Sequence, residues 1–430
     1  MPDKGQPTVS TRWVCTRKFK GNQVVMKARL VARGFEENTK QLKTDSPTCS
    51  KECLRLLLAI ISAKSWSIHS LDVKSAFLQG IKITRDVYIK PPKEANTNLI
   101  WKLLKCIYGL ADAGRHWYLR IIEELLDLGL IQCTYDKAIF MWYDKSGLGG
   151  IIACHVDDLI FGGNEVFHNT LVDKLRKVFV IGSEENNNLK YLGLKICQQP
   201  MHITLSANDF AMSIKKIDLS TAESDDQKAK LFKQFAGQVN WLVNHVRPDL
   251  SFDSCALSNC ISSDLDKALK SSNKIVRKIQ CQEVTLCFHQ DLNLMDCSFV
   301  TFCDASFKNL ANCGSQGGYI SFIVDKNGTY SPIAWQSRKI RRTVKSTIAA
   351  ESLAALDAAE MTVFLVSVLK TILKVDSIDS YVVCDNRSLV DSVYSSTNLE
   401  DKCLLLDVCV LRDMVEKQLI SGIHWVPSEN

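Results

Sequence analysis

From Ile151 to Gly163 the chain reads IIACHVDDLIFGG, two apolar runs around a polar break at Asp157 and Asp158. That pattern predicts a tight hairpin whose strands lie in a core and whose tip presents acid. Adjacent carboxylates repel, so the tip is either a solvated Asp-Asp turn or a seat for a hard cation such as Mg2+, which takes oxygen ligands.

The same reading places further elements. Alternation between Thr11 and Phe35 predicts a strand pair carrying Arg12, Lys18, Lys20, Lys27, Arg29 and Arg33. Such an edge suits phosphate contact, or is a solvated strand edge guarded by charge. Ser50 to Lys64 is a capped helix with a continuous Leu/Ile/Ala face, hence buried scaffold. Ile68 to Asp72 reads as a strand ending in acid, and 74–78 turns away. A Gly/Ala-rich turn at Gly109 to Gly114 precedes a helix from about Arg115 to Leu128, with Trp117, Ile121, Leu125 and Leu128 at helical spacing. A polar helix is expected near His168 to Phe179, and a single short strand at Tyr191 to Ile196.

Beyond residue 208 the text turns helical. KIDLSTAESDDQKAK has mixed charge and no apolar period, and is expected to be an exposed linker. A helix follows with Leu231, Phe235, Val239 and Leu242 on one stripe, ended by Pro248. Lys267, Lys270, Lys274, Arg277 and Lys278 give another helix a basic side, which either tracks a nucleic-acid backbone or is simply solvated. From Cys297 strands return: an alternating strand, a hairpin turning at Asn327-Gly328, a long apolar helix, and a buried strand ending at Asp385.

Composition changes this picture little. A chain of 430 residues, 46% hydrophobic and 23% charged, suggests two or three globular domains. A net charge of +6 permits a polyanionic partner without demanding one. The 17 cysteines are odd in number, with no Cys-x-x-Cys pair and no zinc-ligand spacing, which points to reduced thiols and an intracellular protein. Neither a membrane span nor a signal peptide is expected.

The order of motifs is more specific. KARLVARGF, LDVKSAFLQG, VYIKPP, YGL with WY, HVDDLIFGG, YLGLKI and RPDLSF together resemble the reverse transcriptase of copia-type long-terminal-repeat retrotransposons. The resemblance implies an α+β and α/β multidomain chain. A polymerase right hand of fingers and palm (1–205) with thumb and connection (206–295) would precede a ribonuclease H-like domain (296–430). It implies that Asp72, Asp157 and Asp158 are catalytic and hold two Mg2+ ions, or Mn2+ in their place. Lys27 and Arg29 would grip the incoming triphosphate, and Phe77 would exclude a ribose 2'-hydroxyl. The implied partners are an RNA template, a DNA primer, RNA-DNA hybrid and dNTPs. The implied location is a cytoplasmic virus-like particle with access to the nucleus.

Two departures stand out. His155 replaces the usual tyrosine before Val-Asp-Asp, and Ala111 to Gly114 replaces Lys-Gln-Ala-Pro. Asp112 therefore puts a carboxylate where the family has no acid, and is expected to weaken triphosphate binding.

In the second half, strand, hairpin, helix and strand resemble the ribonuclease H fold, with Asp304, Glu351 and Asp385 as its catalytic, metal-holding acids. The text ends at HWVPSEN, before the family's fourth aspartate, and the nuclease domain is expected to be truncated. The rivals to an active enzyme are a decayed nucleic-acid-binding remnant and a nuclease in which the first half only holds the hybrid.

Overall fold

The computed structural model describes residues 8–20, 23–222, 224–260, 264–310, 313–395 and 401–428, without the side chains of 18–20, 23 and 221. Lys18 and Lys20 thus lie outside the described side chains. The chain forms two compact units. One comprises 1–49, 69–132 and 137–185; the other 50–68, 133–136 and 186–430.

The first unit is built on a six-stranded sheet in the order Ile181–Asn186, Ile68–Val73, Asp158–Gly163, Gly147–His155, Ile139–Asp144, Ile131–Gln132. The expected hairpin is its centre, with Asp158 paired to His155 and Gly163 to Gly150. Helices Ala113–Asp127 and Glu165–Val178 pack their apolar stripes against this sheet. Trp117, Ile121 and Leu125 from one, and Phe167, Leu171 and Leu175 from the other, join Leu71, Phe140, Ile152 and Phe161 in a single core. The basic ribbon is also present, Thr11–Lys20 against Gln23–Ala32. Its register sets Val14 opposite Arg29 and Thr16 opposite Lys27, so Arg12, Lys27 and Arg29 share one face.

The second unit begins with helix Lys51–Ala63, capped by Ser50 and buried along most of its length. It packs on strands His202–Ser206, Thr285–His289 and Tyr330–Lys339 and on helix Thr347–Leu373. Its Arg55 is 1% exposed, stacks 3.8 Å from the Trp335 ring and donates to the carbonyls of Ile333 and Asn244.

The stretch expected as one strand at Tyr191 to Ile196 is instead a hairpin, Asn188–Tyr191 turning into Leu194–Gln199. Leu192 and Gly193 both take left-handed backbone, φ 52° and 85°, which a two-residue turn requires and an apolar leucine does not advertise. The expected linker is helical from Asp225, where Ser224 caps helix Asp225–His245. That helix buries Phe232, Phe235, Val239 and Leu242, leaving Leu231 at the margin. On the basic helix Leu265–Cys281, Lys274 and Lys278 are both committed to Asp253.

The last sheet has the order Tyr330–Lys339, Gln316–Asp325, Cys297–Ser306, Asp379–Cys384, Gly422–Trp425. The first three strands are antiparallel and the last two run parallel to Cys297–Ser306. Helix Thr347–Leu373 covers it. By length and hydropathy this helix could cross a bilayer, but much of it is buried within its own unit.

Candidate functional site

In the first unit the acidic hairpin tip is fixed by its backbone. Val156 and Asp157 are the turn residues, and Val156 has φ 56°, a strained conformation for a β-branched side chain. Trp117 holds the strained residue by donating its indole N–H to the Val156 carbonyl at 2.5 Å. The Val73 amide donates to the Asp157 carbonyl at 3.1 Å, which joins the tip to the strand of Asp72. Asp72, Asp157 and Asp158 are all half-buried at this junction. Their carboxylate oxygens are not among the described clusters whose ligand atoms converge within 4.8 Å. His155 sits beside them, and burial holds it below the usual imidazole range, so it is neutral at pH 7.

Lys27 is exposed on the ribbon, whereas Arg29 is half-buried with its guanidinium carbon 5.5 Å from the Tyr108 ring. Phe77, on the short helix Ala76–Gln79, packs on the same ring at a centroid distance of 4.9 Å. Tyr108 therefore lies between two residues singled out separately from the sequence. The sequence marked it only as part of the Tyr-Gly-Leu motif. The adjoining Gly109 has φ 92°, and a Cβ there would come 2.1 Å from the Ala32 carbonyl oxygen, so this loop is pressed against the ribbon.

Asp112 does not behave as expected. It is 3% exposed and takes a bidentate pair from Arg85 at 2.9 and 2.9 Å. Arg85 also binds Glu37 at 2.9 Å. Burial alone would push the Asp112 carboxyl up, but Arg85 outweighs it and holds it below the usual carboxylate range. The added negative charge is compensated internally, so it is not left facing an anion.

In the second unit Asp304 lies on strand Cys297–Ser306, Glu351 on the first turns of helix Thr347–Leu373, and Asp385 just past strand Asp379–Cys384. Because the two strands are parallel neighbours and the helix crosses them, all three carboxylates come within 4.8 Å of one another. Burial, then the charges of Asp304 and Asp385, push Glu351 up to about 8. Burial and Asp385 raise Asp304 as well. One Glu351 oxygen is buried without a hydrogen-bond partner among the described residues. Crowded, destabilised carboxylates with an unused oxygen fit a divalent cation. The sequence did not mark Ser428, whose hydroxyl donates to Asp385 Oδ2 at 2.9 Å.

Comparison with solved structures gives the class. The foamy viral protease-reverse transcriptase in complex with RNA/DNA hybrid aligns over 93% of this chain and 49% of its own, with TM-score 0.56 and 12% identity. The fold is thus α+β of the reverse-transcriptase type. The chain belongs to the reverse transcriptase (RNA-dependent DNA polymerase) family, whose sequence model matches residues 1–228. It is 25% identical over 449 residues to the retrovirus-related Pol polyprotein from transposon RE1 of Arabidopsis thaliana, covering 97% of this chain and 30% of that one. The corresponding polyprotein from transposon TNT 1-94 of Nicotiana tabacum is 24% identical over 468 residues, covering 99% and 34%. These matches bear out the copia-type Pol resemblance, and the chain spans about a third of the relatives' length.

Proposed function

We propose that the chain is an RNA-directed DNA polymerase acting through Asp72, Asp157 and Asp158, joined to a ribonuclease H-like domain acting through Asp304, Glu351 and Asp385. In this reading 1–205 serve as fingers and palm, 206–295 as thumb and connection, and 296–430 as the nuclease. The observation that carries it is the acidic hairpin tip, hydrogen-bonded through Asp157 to the strand of Asp72, in a chain of the reverse transcriptase family. Bound between these carboxylates, a pair of Mg2+ ions would lower the pKa of the primer 3'-hydroxyl and neutralise charge on the transferred phosphorus. Asp72 and Asp157 would hold them, with Asp158 in a lesser part. Lys27 and Arg29 neutralise the triphosphate, and Phe77 sets the width available to the sugar. An RNA-DNA hybrid as partner is supported by the hybrid in the foamy viral complex.

Primer extension on an RNA template with Mg2+ and dNTPs tests the polymerase. Extension abolished by Asp157→Asn is the expected result; no extension by the wild-type chain favours the non-catalytic remnant. The nuclease reading rests on the convergence of Asp304, Glu351 and Asp385. Loss of the hybrid's RNA strand should persist in Asp72→Asn and vanish in Asp304→Asn.

A further inference from the structure

A second kind of cluster lies in the first unit. His69 on strand Ile68–Val73, His168 on helix Glu165–Val178 and Glu184 on strand Ile181–Asn186 bring their ligand atoms within 4.8 Å of one another. The two imidazole rings are 4.1 Å apart between centroids and tilted by 38°. Both also pack against Phe161, at 5.5 and 5.9 Å.

Packing alone would explain two flat rings on a phenylalanine. It does not explain the nitrogens. Nδ1 of His69 and Nδ1 of His168 are both buried without a hydrogen-bond partner among the described residues. A buried polar atom left unpaired forfeits its hydration for nothing, and a phenylalanine pair would fill the same space without that cost. Two imidazole nitrogens and a carboxylate oxygen are, in contrast, a complete three-ligand set for a borderline metal with water as the fourth ligand.

We propose that His69, His168 and Glu184 form a binding site for a zinc-class divalent metal ion. The donor set separates this site from the all-carboxylate ones. Hard Mg2+ and Ca2+ prefer oxygen, whereas imidazole favours zinc and its transition-metal neighbours. Arg176 holds one Glu184 oxygen at 2.6 Å, which fixes the carboxylate and leaves its second oxygen for the ion. Metal-ligand bonds of about 2 Å ask the three donors to close in by roughly an ångström, within reach of side-chain rotation.

The site ties together strand Ile68–Val73, strand Ile181–Asn186 and the helix that packs against the sheet. It is a structural clamp whose existence does not depend on the polymerase reading.

The test is spectroscopic, on the full chain stripped with chelator and held in excess Mg2+. Co2+ should bind at one equivalent with the visible bands of nitrogen and oxygen ligation, without the thiolate charge-transfer band that the cysteines would give, and Zn2+ should displace it. His168→Phe retains the ring and removes the ligand; Glu184→Gln alters an exposed member and leaves the core untouched. Each should weaken the metal by about 100-fold or more, because losing even an outer-shell partner costs about 10- to 100-fold. Zn2+ should raise the melting temperature of the wild type and of neither variant. Absence of the Co2+ equivalent, a thiolate-type spectrum, or unchanged affinity in Glu184→Gln overturns the proposal.

Discussion

Gly182 lies directly against the carboxylate of Asp72: a Cβ at position 182 would stand 2.2 Å from Asp72 Oδ2. The two residues occupy neighbouring strands, and the missing side chain is the space in which the acid sits. Gly182→Ala should turn Asp72 out of position while leaving the sheet folded. A displacement of about 1 Å at a reacting centre costs about 100-fold. Primer extension should fall by that order, with far-ultraviolet circular dichroism unchanged.

The Arg85–Asp112 pair makes a prediction about folding. Removing one partner of a buried pair strands the other charge, at a cost of about 3 kcal/mol. Arg85→Met should lower the urea midpoint accordingly, and Arg85→Met with Asp112→Ala should recover only the part due to Asp112, since Glu37 still lacks Arg85. The pH sign follows from Asp112 being held below the usual carboxylate range. The wild type keeps the pair's contribution above that range and loses it as pH falls through the folded-state value; the double variant should lack this acid-limb loss.

Tyr108, set between Arg29 and Phe77, predicts two effects from one change. Tyr108→Leu should raise KM for dNTPs and also relax discrimination against ribonucleotides, because both neighbours lose their support. Lys27→Ala, exposed on the ribbon, should raise KM alone, in a salt-dependent manner. Steady-state kinetics with matched dNTP and rNTP pairs separate the two.

Glu351, raised to about 8, gives a pH dependence to the metal-free protein. The folded state binds the proton more tightly than the unfolded state. Stability is therefore fully present below the ordinary glutamate pKa and is lost as pH rises toward 8. Glu351→Gln should flatten this slope, with a melting temperature above that of the wild type at pH 8. Mg2+ or Mn2+ should compress the wild-type slope by favouring the ionised carboxylate, and should not alter the variant.

Most of the framework was legible in the residues. The hairpin around Asp157, the Asp72 strand, and the strand, hairpin, helix and strand of the last sheet all lie where apolar period and turn chemistry put them. What escaped left no local signal. Leu192-Gly193 hid a turn because leucine gives no sign of left-handed backbone. Asp112 looked like an exposed charge because its partner Arg85 lies 27 positions away. The histidine-glutamate cluster was invisible for the same reason: its ligands come from two strands and a helix, with no motif spacing to join them. Tyr108 could have been found from its place in the Tyr-Gly-Leu turn, since an aromatic beside a pressed glycine loop is held against something.

Helix Lys51–Ala63 has one more consequence. It precedes the Asp72 strand in sequence, yet it is assembled with strands and a helix drawn from beyond residue 200. A ribosome finishes this helix long before its binding surface exists. During synthesis its apolar face, and the Arg55 guanidinium that ends up over Trp335, must stay exposed until more than half of the chain has emerged. A fragment ending near residue 205 would keep that exposure permanently, and should be recovered as aggregate unless the helix is removed with the segment it serves.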